Sequence, residues 1–526
     1  MNLIILILIL PIIHGNDHCS ISSSKTWITD ESKCVQVDRF PDDFLFGAAT
    51  SAYQSEGAWN VSNKGESIWD KLTHEKPYTV KDKTNADTAA NSYNSYKTDV
   101  DLVKQLGANS YRISLSWPRI LPTGFDNYVN EDGIRFYNDL IDEMLKKNIT
   151  PFITIYHWDL PATLEDLGGW TNPLIVDWFV DYARVVFNAF GTKVKFWATF
   201  NEPMFNCYHA YNGVWAPRKN QSGVGDYLCV HHTLLAHAKT YQLYNENFRE
   251  TQKGEVSIVL TVFETVPENP NDPEEVKANE FYSKFRNDWM LHPIFSKEGD
   301  YSKVMKKKIA KYSSIQGFSR SRLPEFKKDE IDLIKNSADF LALNYYVVLS
   351  VTKFKNLDVK KTISFDADAG AHHHFNAPDS ALTGHKNACS VKYCHPWGLS
   401  KLIRRITRKY DIPKIVIAEN GYGDERNVKG SKDIDRAEYH YYHLKELLKL
   451  IKEGINIKGY FAWSLFDVFE WERGYTVNYG IYAVNFTDPK RTRTPKDWSP
   501  KLLKEIYTTK TIPSCFLSFV NENNNI

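Results

Sequence analysis

Short apolar runs recur along the chain, and each is followed by a polar loop and then by a helix with one apolar face. Most of the runs are continuously apolar, as in Ile415-Val-Ile-Ala418, which is typical of strands covered on both faces in a parallel sheet. Between runs, residues such as Ile134, Tyr137 and Ile141 repeat at helical spacing. The predicted strands are 44–50, 110–117, 150–157, 195–201, 255–262, 340–346, 414–420 and 458–465.

Eight strand–helix units in series favour a closed barrel over an open sheet. The predicted fold class is therefore α/β, a single (β/α)₈ TIM barrel. One helix is expected to begin at Pro173, capped by Asn172, and to end at Gly191, and another to run from about Asp435 to Gly454. The longest connections separate strands 5, 6 and 7, and we expect these loops to form walls on the C-terminal face.

The two ends of the chain differ from the repeating part. Residues 1–15 contain an apolar run that is too short to span a bilayer and typical of a signal peptide. We expect an extension at 16–38, the barrel domain at 39–510 and a tail at 511–526 that lacks a KDEL-type signal. The protein is therefore expected to be secreted or to stay in the secretory lumen, with no membrane association after cleavage.

A secreted chain can carry glycans and disulfide bonds. Four Asn-X-Ser/Thr sites are candidates for glycosylation: Asn60, Asn148, Asn220 and Asn485. The chain has seven cysteines. Cys19–Cys34 and Cys389–Cys394 are the pairs that would close short loops, although spacing alone cannot fix the connectivity.

Charge and composition exclude several functions. Lys and Arg number 65 and Asp and Glu 64, so the chain lacks the cationic excess of a nucleic-acid binder. A hydrophobic content of 42% excludes an intrinsically disordered chain. The tract His372–His374 is predicted to be a solvated loop, because consecutive loop side chains diverge. No metal site and no cofactor are predicted, and the sequence makes no prediction of oligomeric state.

Two strands end in a carboxylate at the face where barrel active sites lie. Strand 4 ends in Thr199-Phe-Asn-Glu-Pro203 and strand 7 in Ile417-Ala-Glu-Asn-Gly421. A buried carboxylate is costly unless it is paired or protonated. Two opposed carboxyl groups are the groups that cleave glycosidic bonds, one as proton donor and the other as base or nucleophile. Glu202 and Glu419 are therefore the predicted catalytic pair.

These segments resemble the two signature motifs of the family 1 glycoside hydrolases, the retaining β-glucosidases. The resemblance covers about residues 40–505 and is closest to secreted insect β-glucosidases and insect myrosinases. Further matching segments are Phe46–Gly57, Tyr111–Pro122, Tyr156–Pro161, Leu343–Tyr346 and Phe461–Trp471.

The resemblance implies a role for each catalytic residue. Glu202 would be the general acid and base, and Glu419 the nucleophile. Arg112 and Tyr346 would hold Glu419 ionised and oriented, with Asn344 as a further supporting residue. The alternation of side chains along a strand is consistent with these roles, because it places Asn344 and Tyr346 on the same face of their strand.

The resemblance also implies a glucose-binding set: Gln54, His157, Asn201, Trp463, Glu470 and Trp471. Asn201 would meet the sugar 2-hydroxyl, and Glu470 would bridge the 4- and 6-hydroxyls. Trp463 would stack on the sugar ring with Trp471 beside it, whereas Trp158 is left outside the site as a packing residue. The implied partner is a small β-glucoside, and galactose or fucose could replace glucose.

Two alternative functions stay open. The first is a thioglucosidase of the insect myrosinase type acting on glucosinolates, for which cationic residues in 215–220 and 284–327 could bind a sulfated aglycone. The second is a non-catalytic sugar-binding module on the same fold, against which the presence of both glutamates argues. Transglycosylation would use the same intermediate as hydrolysis and is also left open.

Overall fold

The computed structural model describes residues 39–375, 394–425, 433–516 and 519–520, and the chain divides into two compact units. The large unit is Asp38–Ile512. The small unit combines Met1–Val37 with Pro513–Ile526, and in its described part the rings of Phe516 and Phe519 lie 6.3 Å apart. The predicted signal peptide at 1–15 and extension at 16–38 fall outside the described residues and stay predictions.

The large unit contains a closed barrel of parallel strands, which confirms the predicted fold. Each strand pairs with the next one along the chain, and the last pairs with the first. All eight predicted strands are present. They are β1 (Leu45–Ala49), β2 (Ser110–Ser114), β3 (Thr150–Tyr156), β4 (Phe196–Asn201), β5 (Glu255–Thr261), β6 (Leu341–Asn344), β7 (Ile415–Asn420) and β8 (Ile457–Trp463).

Helices lie between consecutive barrel strands. The Glu131–Lys146 helix buries Tyr137 and Ile141, members of the stripe that the sequence predicted, although Ile134 is only half-buried. The α-helices are Ala52–Ser55, Ile68–Glu75, Ser92–Gln105, Trp117–Ile120, Glu131–Lys146, Ala162–Asp166, Ile175–Phe190, Pro203–Tyr211, Gly225–Asn247, Arg249–Gln252, Pro273–Phe295, Lys303–Ile315, Lys328–Ile334, Phe365–Ala369, Pro396–Lys409, Asp433–Lys452 and Ser499–Thr509. Single 3₁₀ turns occur at Pro77–Thr79, Gly169–Thr171 and Trp471–Arg473.

One predicted helix start is wrong. The helix after β3 begins at Ile175, not at Pro173, and it ends at Phe190 with Gly191 as its C-cap, as expected. Asn172 does not cap this helix. Its side-chain oxygen accepts the backbone N–H of Leu174 at 3.0 Å, and this local turn precedes the helix.

The long loops contain small sheets of their own. Thr265–Pro267, Leu349–Lys353 and Ala371–His374 form a three-stranded sheet, so the histidine tract is a strand and not the predicted loop. Strand alternation exposes His372 and His374 and turns His373 inward. Two-stranded sheets join Asp424–Glu425 to Val477–Asn478 and Tyr482–Val484 to Arg493–Pro495.

A layer of aromatic rings fills the barrel interior below the polar site. Phe152 of β3 lies 5.5 Å from Phe461 of β8 and 6.0 Å from Phe340, measured between ring centroids. The guanidinium of Arg112 on β2 lies 5.8 Å above the Phe152 ring. This apolar floor excludes water from the lower barrel, so the polar side chains above it must satisfy one another.

One disulfide bond joins two helices on the same side of the barrel. Cys207 on the Pro203–Tyr211 helix is bonded to Cys229 on the Gly225–Asn247 helix, a pair that the sequence did not single out. Cys394 is also disulfide-bonded, but Cys389, Cys19 and Cys34 lie outside the described residues, so the pairs predicted for them stay predictions.

No described helix is both long and apolar enough to cross a bilayer. Nor does any group of three or more His, Cys, Asp or Glu side chains in the described part of the chain have the arrangement of a metal site.

Candidate active site

The two predicted catalytic glutamates lie at the C-terminal ends of β4 and β7, and both are buried. Glu202 directly follows β4 with a left-handed backbone, φ 46°, and occupies the N-cap position of the Pro203–Tyr211 helix. Glu419 lies within β7, where the pairing registers with both neighbouring strands shift just after Ile417. Two residues further on, a side chain on Gly421 would come within 2.0 Å of the Trp463 carbonyl oxygen, so only glycine fits there.

Glu419 is held by one cation and one hydroxyl group. Arg112 Nη1 donates to its Oε1 at 2.7 Å, and Tyr346 Oη donates to its Oε2 at 2.7 Å. Both donors are buried or nearly so, and together they fix the plane of the Glu419 carboxyl group. Thr154 on β3 accepts a hydrogen bond from Arg112 Nε at 3.0 Å and so helps to orient the arginine. The alternation of side chains along β3 could have identified Thr154 as an inward-facing residue.

Glu202 has an environment that favours its protonated form. Burial, with the negative charge of Glu419 as the second cause, raises the pKa of Glu202 to about 7. Asn344 Nδ2 donates to Glu202 Oε1 at 2.7 Å. Asn344 was expected to support Glu419, and the structure corrects this: its amide nitrogen bonds to Glu202 and to Asn201.

A chain of hydrogen bonds joins the two carboxyl groups. Arg112 Nη2 donates to Asn201 Oδ1 at 2.7 Å, and Asn344 Nδ2 donates to the same oxygen at 3.2 Å. The carboxylate network therefore consists of Arg112, Asn201, Glu202, Asn344, Tyr346 and Glu419. It fixes two carboxyl groups at the mouth of the barrel, one beside a guanidinium and the other with a raised pKa.

The predicted sugar ligands surround this network. Asn201 Nδ2 donates to His157 Nε2 at 3.0 Å, and burial, together with the charge of Arg112, lowers the pKa of His157 well below its usual value, so its ring is neutral. Gln54 Nε2 donates to Glu470 Oε2 at 3.2 Å. Burial, Glu472 and Glu419 raise the pKa of Glu470 to about 8.

The tryptophans form the other side of the sugar site. Trp463 ends β8, and its ring stacks on His157 at 5.9 Å between centroids. Trp471 lies 6.1 Å from the same His157 ring. Trp158, which was left out of the predicted site, packs on Trp471 at 4.6 Å and donates from Nε1 to the Asn201 carbonyl at 2.7 Å. It thus positions two predicted sugar ligands, and its φ of 75° has no signature in the sequence.

An aromatic wall extends from Trp471 past Glu202. Trp215 lies 6.4 Å from Trp471 and 5.3 Å from Phe205, which is one helical turn beyond Glu202. His209 stacks on Trp215 at 4.4 Å, and Phe263 lies 6.2 Å from Phe205. We call Phe205, His209, Trp215 and Phe263 the aromatic wall. Phe205 and His209 are half-buried, whereas the other two are buried.

The model of glycosyl hydrolase family 1 matches residues 36–512. The chain belongs to this family. Relatives include myrosinase 1 of Brevicoryne brassicae, 40% identical over 466 residues that cover 87% of this chain and 96% of the relative. The human cytosolic β-glucosidase is 39% identical over 87% of this chain and 95% of its own length.

Solved structures of family members agree with this assignment. The aphid myrosinase superimposes with a TM-score of 0.81 at 40% identity, over 90% of this chain and 99% of that chain. A rice β-glucosidase mutant, solved in a covalent complex with glucose, has a TM-score of 0.80 at 34% identity, over 89% of this chain and 99% of that one. The chain is thus a family 1 β-glycosidase, with the paired carboxyl groups that glycoside hydrolysis requires.

Proposed function

We propose that the protein is a retaining β-glucosidase that hydrolyses small β-glucosides by double displacement. The observation that carries the proposal is the asymmetry of the two carboxyl groups: Arg112 and Tyr346 hold Glu419, while Glu202 has a pKa raised to about 7. One group is ready to attack and the other to donate a proton, as a retaining mechanism needs.

In the first step the carboxylate of Glu419 attacks the anomeric carbon. The bond from that carbon to the glycosidic oxygen breaks, and Glu202 gives its proton to the departing oxygen, so that the aglycone leaves as a neutral alcohol. The sugar is then bound to Glu419 as an ester. Asn201, which Arg112 and His157 hold in place, is positioned to bond the 2-hydroxyl as charge develops on the ring.

In the second step water releases the sugar. Ester formation removes the negative charge of Glu419, which is the second cause of the raised pKa of Glu202. Glu202 therefore becomes a carboxylate that can take a proton from water while the water oxygen attacks the anomeric carbon. Glu419 leaves as a carboxylate, and two inversions give net retention.

The sugar specificity rests on Gln54 and Glu470. Glu470 accepts from Gln54, and with the raised pKa its carboxyl group both donates and accepts at neutral pH. Such a pair can bond two adjacent hydroxyl groups, and a sugar that lacks one of them leaves a buried polar group unpaired. Glucose is the proposed sugar, and β-galactosides and β-fucosides should be tested as substrates beside β-glucosides.

The decisive experiment removes the nucleophile. Glu419→Ala should lower kcat/KM for 4-nitrophenyl β-glucoside by at least about 10⁴-fold, since no covalent intermediate can form. Added azide should restore turnover and give the α-glucosyl azide, the product of a single inversion. The exposed Glu274→Gln is the matched control and should keep wild-type activity. Residual activity of several per cent in Glu419→Ala would contradict the assignment, and an inactive wild type would favour the sugar-binding alternative.

A thioglucosidase is the second candidate function. The family member from Brevicoryne brassicae is named a myrosinase, and this chain is 40% identical to it. Glu202 is retained, so such an activity would keep the acid and base of an O-glucosidase. Glucose release from sinigrin, compared with release from O-glucosides, separates the two functions. Absence of release from any glucosinolate would remove this one.

We also propose that the protein enters the secretory pathway. The four candidate glycosylation residues, Asn60, Asn148, Asn220 and Asn485, are all exposed. The disulfide bond Cys207–Cys229 fits an oxidising compartment. Secretion from cultured cells, with a mass decrease after endoglycosidase treatment, is the expected result, and retention of an unglycosylated protein in the cytosol would contradict it.

A further inference from the structure

Arg286 is a buried cation that lines the same cavity as the catalytic acid, and no carboxylate in the described part of the chain forms an ion pair with it. It lies on the Pro273–Phe295 helix and is 1% exposed. Its Nη1 donates to Tyr282 Oη at 3.2 Å, but Nε and Nη2 have no hydrogen-bond partner among the described residues. Burying an arginine this way is costly, and such a charge normally has a carboxylate, a phosphate or a similar anion beside it.

The guanidinium lies directly behind the aromatic wall. Its Cζ is 5.9 Å from the Phe205 ring and 5.1 Å from the Phe263 ring. Arg286 also lines a small cavity together with Glu202 and Thr261. The charge of Arg286 therefore lies beside two rings of the aromatic wall and borders a cavity that the catalytic acid also lines.

Among the described residues, none of the titratable groups around Arg286 forms an ion pair with it. Burial, with the charge of Arg286 as the second cause, lowers the pKa of His209 to about 3, and the same two causes lower the pKa of His373 well below its usual value. Both histidines are neutral, and both ring nitrogens of His209 lack a partner within the described ranges. The carboxylate of Asp366 accepts from Tyr208 at 2.9 Å and forms no ion pair with Arg286.

The position of the leaving group follows from the mechanism. Glu202 protonates the glycosidic oxygen, so the aglycone must start beside Glu202, and the helix that begins there carries Phe205 and His209. An aglycone lying on the half-buried faces of these two rings is within reach of the field of Arg286. In a site of low dielectric such a field acts across several ångströms.

We propose that Arg286 makes this enzyme select β-glucosides whose aglycone carries an anionic group, a carboxylate or a sulfate, seated against Phe205 and His209. This inference rests on the proposed glucosidase function and names its aglycone class. Arg286 acts as a specificity residue: its charge, and the open hydrogen bonds of His209, stabilise the anion without taking part in bond cleavage.

The test compares two aryl glucosides that differ in one charge, 4-carboxyphenyl and 4-carbamoylphenyl β-glucoside. Arg286→Gln should lower the ratio of kcat/KM for the acid over the amide about tenfold or more, while kcat/KM for the amide stays within about twofold. Arg286→Lys, which keeps the charge, and Tyr282→Phe, which removes the hydrogen bonds of Tyr282 Oη to Arg286 Nη1 and His373 Nδ1 but leaves the charge in place, are matched controls and should keep the wild-type ratio. An unchanged ratio in Arg286→Gln, or equal losses on both glucosides, would overturn the proposal.

A second measurement uses the wild-type protein, in case Arg286→Gln fails to fold. Benzenesulfonate should bind at least about tenfold more tightly than benzenesulfonamide by calorimetry. Equal affinities would refute the anion site even if the enzyme hydrolyses neutral glucosides. Failure of the wild type on every glucoside, with the sulfonate preference intact, would instead refute the proposed function. Sinigrin, tested beside 4-carboxyphenyl glucoside, tells whether a sulfated S-glucoside or an acidic O-glucoside is the source of the anion.

Discussion

The two sides of the site around Glu202 are built on opposite principles. On the sugar side the carboxylate network pairs its charges, as Arg112 does with Glu419, and joins them by short hydrogen bonds. On the side of the aromatic wall, Arg286 and His209 keep polar atoms that find no hydrogen-bond partner in the described part of the chain. A network of paired charges suits a sugar ring whose hydroxyl pattern does not vary, whereas the charge of Arg286 favours an anionic aglycone over a neutral one.

The largest effect that separates the two sides concerns proton donation. Glu202→Gln removes the proton that the departing oxygen needs, so kcat/KM for a phenyl glucoside with a basic leaving group should fall about 10³-fold. For 2,4-dinitrophenyl glucoside, whose leaving group needs no proton, the first step should be nearly unaffected. Burst kinetics with the activated substrate measure this, because the glucosyl enzyme then accumulates.

The control for that variant lies on the other side of the site. Asp366→Asn removes a carboxylate that contacts Tyr208 near the aromatic wall, and it should change both substrates by the same factor. If Glu202→Gln also slowed both substrates equally, Glu202 would be a binding residue, and the comparison between the two sides would lose its basis.

The next effect is a shift of the pH profile. Glu202 must be protonated to act as the acid, so kcat/KM should fall as the pH rises through about 7, the pKa of Glu202. Asn344 donates to the carboxylate and thereby lowers this pKa. Asn344→Leu should therefore move the alkaline limb to higher pH by roughly half to one unit.

A matched variant separates this shift from general damage. Asn456→Ala removes an exposed asparagine that directly precedes β8, at the end of the barrel opposite the active site. This variant should leave the pH profile unchanged. An alkaline limb of Asn344→Leu that stays in place, or moves to lower pH, would show that this hydrogen bond does not stabilise the Glu202 carboxylate.

The sequence predicts the sugar side much better than the wall, and the reason is physical. Glu202 and Glu419 follow from local patterns, because a carboxylate at the end of an apolar strand is unusual in any context. The hydrogen-bond partner of Asn344 does not follow from a local pattern. That partner depends on a register shift after Ile417, which appears only when three strands pair. Small local shifts of this kind decide which of two nearby carboxyl groups an amide reaches.

The wall depends on contacts between distant segments. Phe205, Trp215 and Phe263 meet because one helix and two loops converge, and no spacing in the chain encodes that. Arg286 is one of several cations between residues 284 and 327, and the sequence did not distinguish it from the exposed lysines there. Burial and unpaired nitrogens single it out, and both are properties of the folded chain alone.

The smallest expected effect concerns how the wall side is held in place. Cys207 and Cys229, 22 residues apart, link the helix that starts at Glu202 to the Gly225–Asn247 helix. Closing a loop of that length restricts the unfolded chain, so the double variant Cys207→Ser with Cys229→Ser should lose about 3 kcal/mol of unfolding free energy in urea titrations. Cys515→Ser, at the free thiol, should leave that free energy within about 0.5 kcal/mol of wild type.

Because the carboxylate network needs no covalent link, kcat/KM of the double cysteine variant for the neutral 4-carbamoylphenyl glucoside should change less than its preference for the 4-carboxyphenyl glucoside. A larger change in kcat/KM for the neutral glucoside than in the preference for the acidic one would show that the disulfide bond supports the sugar side. The distinction between the two sides would then fail.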